Sequence, residues 1–443
     1  MYTEIRAAAF DNQSVFPMRP QLLRLLACIC IVSCMCPAAA QNSDLDFVRV
    51  EVNQKPTLPA QRYRLAHPFE ILYGPDDHLY VTERVGRVLR VNTTTGMRTV
   101  ILDHRGSTYV TISRNGAGTA TGIGQDGMMG MALHPNFGLG TGQDFIYLAY
   151  TYAAGQLRLS RFSYSAIPTP QLSSETVLLQ GIPANNDHSS GRLIFGADGR
   201  LYYTCGDRGA NQFGNRCQEI QSQQLPTAGQ VSAANYSRYA GKTLRISPDG
   251  SIPADNPLFA GVRSHIFSIG HRNAQGLVTQ KTPTDGLSYP TPLPGGRIFN
   301  SEHGPRTDDE INVLQAGGNY GWPQFEGPCP IDTHCDPNQT DFGKTIPPAY
   351  YYDSSATSPT SIIGGAFAEG GAYPKPYAGA YFFGDFNGWV RVAKFDKHNR
   401  VKQVLDFDTG IVPVQFRLGP DKNIHVLDFV GGNLYRYVYT LTP

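Results

Sequence analysis

Short runs of alternating apolar and polar residues, rich in Tyr, Val and Leu, recur along the chain between turns built on Gly, Pro and Asp. The clearest unit is a Gly-Pro/Ala-Asp turn followed by an alternating strand. It occurs as GPDDHLYVTER from Gly74, GADGRLYYTCGD from Gly196 and GPDKNIHVLDF from Gly419. A second strand follows the first of these (GRVLRV from Gly86) and the last (GNLYRYVY from Gly432). FIYLAYTY from Phe145 and QLRLSRFSY from Gln156 read as a further hairpin. Period-two alternation with such turns predicts an all-β chain whose strands close on themselves or repeat radially. Irregular repeats of a few tens of residues point to propeller blades; the competing fold is a β-sandwich, for which the chain is long. No stretch carries the period of a long amphipathic helix. Polar segments at 104–125, 209–240 and 282–295 interrupt the strands. Loops of that length in a compact domain are functional or mobile, and on a propeller they cover one face.

Residues 1–40 do not read as part of this fold. From Met18 the chain runs MRPQLLRLLACICIVSCMCPAAAQ, with Arg19 and Arg24 as a positive start, Leu25–Met35 apolar, and Ala38–Ala40 as a small-residue cleavage site. This is the pattern of a secretory signal peptide, too short for a comfortable bilayer span. Glu4 and Asp11 add nothing to such a signal, so the true start is expected at Met18 and the mature N-terminus at Gln41, leaving one domain over 41–443. A lipoprotein-type cleavage leaving Cys34 lipid-anchored ranks below free export to the periplasm or medium. No later stretch is apolar enough to be an integral membrane span.

Lys plus Arg total 37 against 36 for Asp plus Glu. With no net field and no basic runs, nucleic acid is not an expected partner. Four of the eight cysteines lie in the signal, leaving Cys205, Cys217, Cys329 and Cys335. In an exported chain this suggests two disulfides, paired locally as Cys205–Cys217 and Cys329–Cys335. Their spacings do not fit a structural zinc site.

The densest candidate chemistry is NNDHSSGRL, ending at Leu193. It puts Asp187 beside His188 in a polar turn, where both side chains can reach one cavity; in a strand they would point to opposite faces. A carboxylate raises an imidazole's proton affinity and orients it, as a general base needs. Alone, the pair is weak evidence, and a partly exposed surface histidine is the plainer reading. Four more segments carry chemistry: GQDGMMGMALHP with Gln125 and Asp126, GHRNAQG with Arg272, Asn273 and Gln275, SEHGPRTDDEIN with the Gly304-Pro305 corner, and GGNYGWP from Gly317. Singly, each can be a turn or a strand cap.

Together and in this order, with GDRGANQ and GSIPADNP, these motifs resemble the soluble pyrroloquinoline quinone (PQQ)-dependent glucose and aldose sugar dehydrogenases, the glucose/sorbosone dehydrogenase family. The resemblance runs from about Ala66 to Asn319 and more loosely to the end. SIIGGAFAEGG and YFFGDFNG resemble the hedgehog-interacting-protein-like branch more. It implies a six-bladed β-propeller with long loops on its top face and PQQ in a cleft there. It implies an aldose oxidised at C1 to its lactone by hydride transfer to the quinone, with an external electron acceptor. His188 inherits the role of general base; Asp187 orients it and, with Gln125, holds the sugar; Arg272 supports catalysis and, with Asn273 and Gln275, contacts PQQ. The carbonyls of Gly304 and Pro305 match ligands of a Ca²⁺ that polarises the quinone carbonyl. Glu310 and Tyr320 match a structural Ca²⁺ site. A homodimer is expected by analogy with the glucose enzyme.

The chain also departs from the glucose enzyme. His303 stands where that enzyme has Gln. Asn387 falls near its cofactor-binding lysine, and Val412 and Val414 fall at its arginines, with Arg391 and Arg417 out of register. The sugar-binding aromatics lack clear counterparts. Two other readings therefore stand beside the dehydrogenase: a propeller binding module without cofactor, and a calcium-dependent propeller lactonase, for which no converging Glu, Asn and Asp set is assignable.

Overall fold

A computed structural model describes residues 47–53, 64–114, 120–280, 296–305, 308–327, 329–330, 345–353 and 361–440. The expectations for the signal peptide, Met18, Cys34 and Cys335, and the whole of segment 282–295, fall outside the described residues. Alternation yields strands throughout, and these assemble into six four-stranded antiparallel sheets. In order from the first strand outward, blade 1 comprises 68–73, 78–83, 87–92 and 98–103, and blade 2 comprises 128–133, 145–153, 156–165 and 171–183. Blade 3 comprises 190–195, 201–205, 242–246 and 266–269, and blade 4 comprises 274–280, 297–302, 308–313 and 350–353. Blade 5 comprises 362–367, 381–385, 389–395 and 401–409. Blade 6 comprises 413–418, 424–428 and 433–439, completed on its outer edge by 47–51 from the other end of the chain.

The first strand of each blade touches the first strands of both neighbouring blades, so the sheets close into a six-bladed β-propeller. All six inner strands carry a register shift close to their start, where they pair with the second strand. Such bulges re-aim side chains at the rim of a barrel. Inner strands are almost wholly buried, as in SGRLIF at 190–195, whereas the outer strand 171–183 is mostly exposed. The polar segments carry little regular structure: a hairpin of 112–114 with 120–123, and the short helix Ala228–Ser232 capped by Thr227.

Arg192 joins four blades at the centre. Its guanidinium donates to the carbonyls of Gln275 (2.7 Å), Phe69 (2.8 Å) and Val414, and lies 3.4 Å from Glu70 Oε2. Its carbon also sits 3.9 Å from the Phe69 ring centroid. Gln415 and Arg417 hold the other Glu70 oxygen at 2.8 and 2.9 Å. Burial pushes the Arg192 pKa down to about 10, which leaves it charged at neutral pH.

The expected Cys205–Cys217 disulfide is not formed, and both thiols are free. Cys205 is the last residue of strand 201–205 and packs into the main core cluster, while Cys217 lies exposed on the loop beyond. Strand geometry turns the first thiol inward, away from the second. Burial raises the Cys205 pKa well above the usual thiol range. The Cys329–Cys335 pairing lies outside what is described.

Candidate functional site

Inner strands start at one end of the ring and second strands finish there, so the residues just before the former and just after the latter meet around one mouth. Gln125 precedes strand 128–133, Asp187 and His188 precede 190–195, and Arg272 and Asn273 precede 274–280. Asp207 follows strand 201–205, while His303 and Gly304 follow 297–302. The pairing of Ser190 with Cys205 sets His188 across from Asp207. A Cβ on Gly206 would fall 1.9 Å from the His188 carbonyl oxygen, so this approach requires glycine. His188 itself adopts a left-handed φ of 47°, an unfavourable conformation for a non-glycine residue that clusters at functional sites.

His188 is 5 % exposed. Its Nδ1 lies 2.8 Å from Asp207 Oδ1, and because a carboxylate only accepts, Nδ1 carries the proton and Nε2 the lone pair. Asp207 is wholly enclosed and also accepts from Trp322 Nε1 and the Gly209 amide, each at 2.9 Å. The residue on the far side of the imidazole is thus Asp207. Asp187 instead lies 3.7 Å from Nε2 and accepts from Gln125 Nε2 (3.0 Å) and Gln212 Nε2 (2.9 Å).

Arg272 is held by Glu302, which accepts from its backbone N–H and from His271 Nδ1. The Arg272 guanidinium donates to the carbonyls of His303 (3.1 Å) and Gly304 (2.9 Å) and to Gln212 Oε1 (2.8 Å). Burial lowers its pKa, opposed by the charge of Asp207, but a guanidinium stays a cation. Among the described residues its side-chain hydrogen bonds all go to neutral oxygens. A buried cation without a bonded counter-ion is costly, and an anionic ligand or developing negative charge offsets that cost.

Gln212 bridges the two halves. Its Oε1 takes Arg272, and its Nε2 lies 2.9 Å from both Asp187 Oδ2 and His188 Nε2. A second network runs through Asn273, whose amide reaches Gln125 Oε1 (3.1 Å) and His303 Nδ1 (3.3 Å). Gln275 adds bonds to Gln125 (3.3 Å) and Asn273 (3.2 Å). His303 Nε2 lies 2.8 Å from the Ile362 carbonyl. Burial, reinforced by the Arg272 charge, pushes the His303 pKa down to about 3, so it is neutral, donating to Ile362 and accepting from Asn273.

One small cleft is lined by Arg272, Glu302, His303, Gly304, Pro305, Glu310, Tyr320, Trp322 and Glu326. The Gly304 N–H is pinned by Asp309 Oδ1 at 2.9 Å, which fixes the orientation of this corner. Glu310 pairs in register with Glu302, and burial followed by the Glu302 charge raises its pKa strongly. Like-charged buried carboxylates suit a divalent cation between or beside them. Tyr320 sends its hydroxyl to the Val313 carbonyl (2.7 Å), so only its backbone is left for a cation. Among the described residues, no three His, Cys, Asp or Glu side chains converge as a metal cage.

The C-terminal positions hold no substitute cations. Val414 is core-packed, Arg391 pairs with Asp406 (2.8 Å), and Arg417 with Glu70 (2.9 Å). Sequence reasoning missed Asp207, Gln212, Trp322 and Glu302 as site residues. The first two lie in GDRGANQ, and the register of the hairpin after His188 was the signal that could have found Asp207.

The sequence pattern described as Glucose / Sorbosone dehydrogenase matches residues 65–428. Quinoprotein glucose dehydrogenase B of Acinetobacter calcoaceticus is 39% identical over 274 residues, 59% of this chain and 51% of that protein; the match thus spans about half of that relative's length. Aldose sugar dehydrogenase YliI of Escherichia coli is 26% identical over 424 residues, 93% of this chain and 96% of that protein. The solved PQQ-bound aldose sugar dehydrogenase of Streptomyces coelicolor superposes with a TM-score of 0.62 at 21% identity, covering 88% of this chain and 98% of the other. That last likeness speaks for the fold.

Proposed function

Because the chain belongs to the glucose/sorbosone dehydrogenase family, we propose that it is a PQQ-dependent sugar dehydrogenase that oxidises an aldose at C1 to the lactone. One observation carries this reading: an imidazole locked with its lone pair on Nε2 and a buried cation that bonds no carboxylate among the described residues, each within 2.9 Å of the same carboxamide. A proton acceptor and a stabiliser of negative charge are the two groups that hydride abstraction from a hemiacetal needs.

When bound, the quinone supplies the two-electron acceptor. His188 Nε2 takes the proton of the C1 hydroxyl, and Asp207 stabilises the imidazolium that results. Asp187 and Gln125 hold neighbouring sugar hydroxyls. Arg272, Asn273 and Gln275 face the cofactor, with the Arg272 guanidinium meeting its negative charge. The Gly304 and Pro305 carbonyls would hold one Ca²⁺, and Glu310 with the Tyr320 backbone a second. Arg272 already donates to the Gly304 oxygen, so a Ca²⁺ there would take that carbonyl's second lone pair. Export rests on the leader pattern in 1–40, and the homodimer on analogy with the glucose enzyme. Among the described residues no helix is long and apolar enough to cross a membrane.

The second reading, a propeller that binds without the cofactor, is favoured by the commitment of Arg391 and Arg417 to other partners. Dye reduction by the purified protein with PQQ, Ca²⁺ and a panel of aldoses separates the two. Turnover is expected, and His188→Ala should lower kcat far more than PQQ affinity. Failure to bind PQQ in equilibrium dialysis supports the binding module.

A further inference from the structure

Gln212 is mounted on a loop, and its head fills the site. It directly precedes the short 3₁₀ turn Phe213–Asn215, and residues 216–219 beyond it are exposed. Its backbone takes part only in turn hydrogen bonds, to Gly209 and from Asn215. Swinging it out therefore breaks no sheet ladder. Yet its carboxamide is fully committed: both N–H groups go to Asp187 and His188, and the oxygen goes to Arg272. The amide offers a donor to His188 Nε2 and an acceptor to Arg272. A hemiacetal hydroxyl offers the same two functions.

We propose that Gln212 is an internal stand-in for the substrate, a side-chain plug that blocks the lone pair of His188 and must be displaced before a sugar hydroxyl can reach it. The proposal rests on the dehydrogenase reading for the identity of the displacing ligand; the plug itself follows from the three contacts. A residue that competes with substrate in this way raises the apparent dissociation constant by the reciprocal of the fraction of time the site is open. The effect therefore falls on KM.

Two independent measurements test this on the full chain, each with Gln212→Ala and with Gln212→Met, which keeps bulk but removes the bonds. The first needs no turnover. Diethyl pyrocarbonate attacks the unprotonated imidazole nitrogen, and peptide mass spectrometry reads the rate at His188, with the partly exposed His78 as internal control. The rate at His188 should rise about tenfold in both variants while that at His78 holds; an unchanged His188 rate overturns the plug. The second is steady-state dye reduction by the PQQ-loaded protein, where KM for the aldose should fall about tenfold and kcat much less. A fall in kcat with KM unchanged overturns the proposal, because it makes Gln212 a positioner of the base. If even the unaltered protein shows no turnover, the dehydrogenase reading fails, and the labelling rates alone decide the plug.

Discussion

Asp207→Asn isolates the tautomer lock. In the native site Asp207 receives three hydrogen bonds: His188 Nδ1 at 2.8 Å, and Trp322 Nε1 and the Gly209 amide at 2.9 Å each. An asparagine has one oxygen. If that oxygen stays with Trp322, which bonds Oδ2, the NH₂ takes the Oδ1 place facing His188 and the Gly209 amide, and the imidazole turns to its other tautomer with the proton on Nε2. The group that should accept a proton then donates one. The variant also removes the counter-ion of the imidazolium formed during the reaction. The equivalent change in a serine-protease triad, a worked example of the same wrong-tautomer effect, lowers kcat by about 10⁴, or roughly 5.5 kcal/mol. The same order is expected here, because Asp207 is no more exposed than a buried triad aspartate. Single-turnover dye reduction with PQQ-loaded protein reads the step, and Asp187→Asn is the comparison. Asp187 reaches Nε2 only at 3.7 Å and is partly exposed, so its loss should raise KM and cost far less in kcat. An Asp207→Asn enzyme within tenfold of native, or one faster than Asp187→Asn, refutes this assignment of the orienting carboxylate.

Other outcomes follow from the same geometry. Arg192→Met leaves buried Glu70 with Arg417 as its remaining bonded cation and should destabilise the fold by about 3–5 kcal/mol, read by urea unfolding; a loss below about 1 kcal/mol contradicts the hub. Lys242 is wholly buried, with Nζ donating to the carbonyls of Gln221 and Ala240, two acceptors that a neutral amine can satisfy. Burial pushes its pKa down to about 7 from an ordinary value of 10.5. Between those values the unfolded chain holds the extra proton, so this group makes stability rise with pH by roughly 1.4 kcal/mol per unit. The rise should vanish in Lys242→Met. Native maleimide labelling followed by peptide mapping should mark Cys217 at once and Cys205 only after unfolding; a bridged pair marks neither.

The three turn-strand repeats legible in the sequence are the second strands of blades 1, 3 and 6. They stood out because a second strand follows a tight turn at the bottom of the ring and packs on both faces, which demands both signals at once. The closing of blade 6 by 47–51 was not legible, since a single alternating pentapeptide says nothing of its partner. Gln125, His188, Arg272 and Asn273 were legible as motifs, and the structure brings all four into one hydrogen-bonded cluster. What escaped was the direction of each bond. Neighbours in sequence suggested that Asp187 orients His188, but a left-handed turn at 188 sends the ring toward Asp207, a partner fixed by strand register. The Cys205–Cys217 expectation failed for a similar reason: counting cysteines carries no information on which strand face each one takes.

Blade 6 also dictates when this molecule can become whole. The Asn53 carboxamide oxygen accepts from the backbone of Leu434, 381 residues away, and 47–51 zips along 433–439. A ribosome makes one side of that sheet early and the other late, so a nascent chain must carry an unmatched ribbon through most of translation. Such an open edge invites a neighbouring copy to pair with it. Until the last blade is built, the ring is held together without its clasp, and protection of that early ribbon becomes a task for the cell.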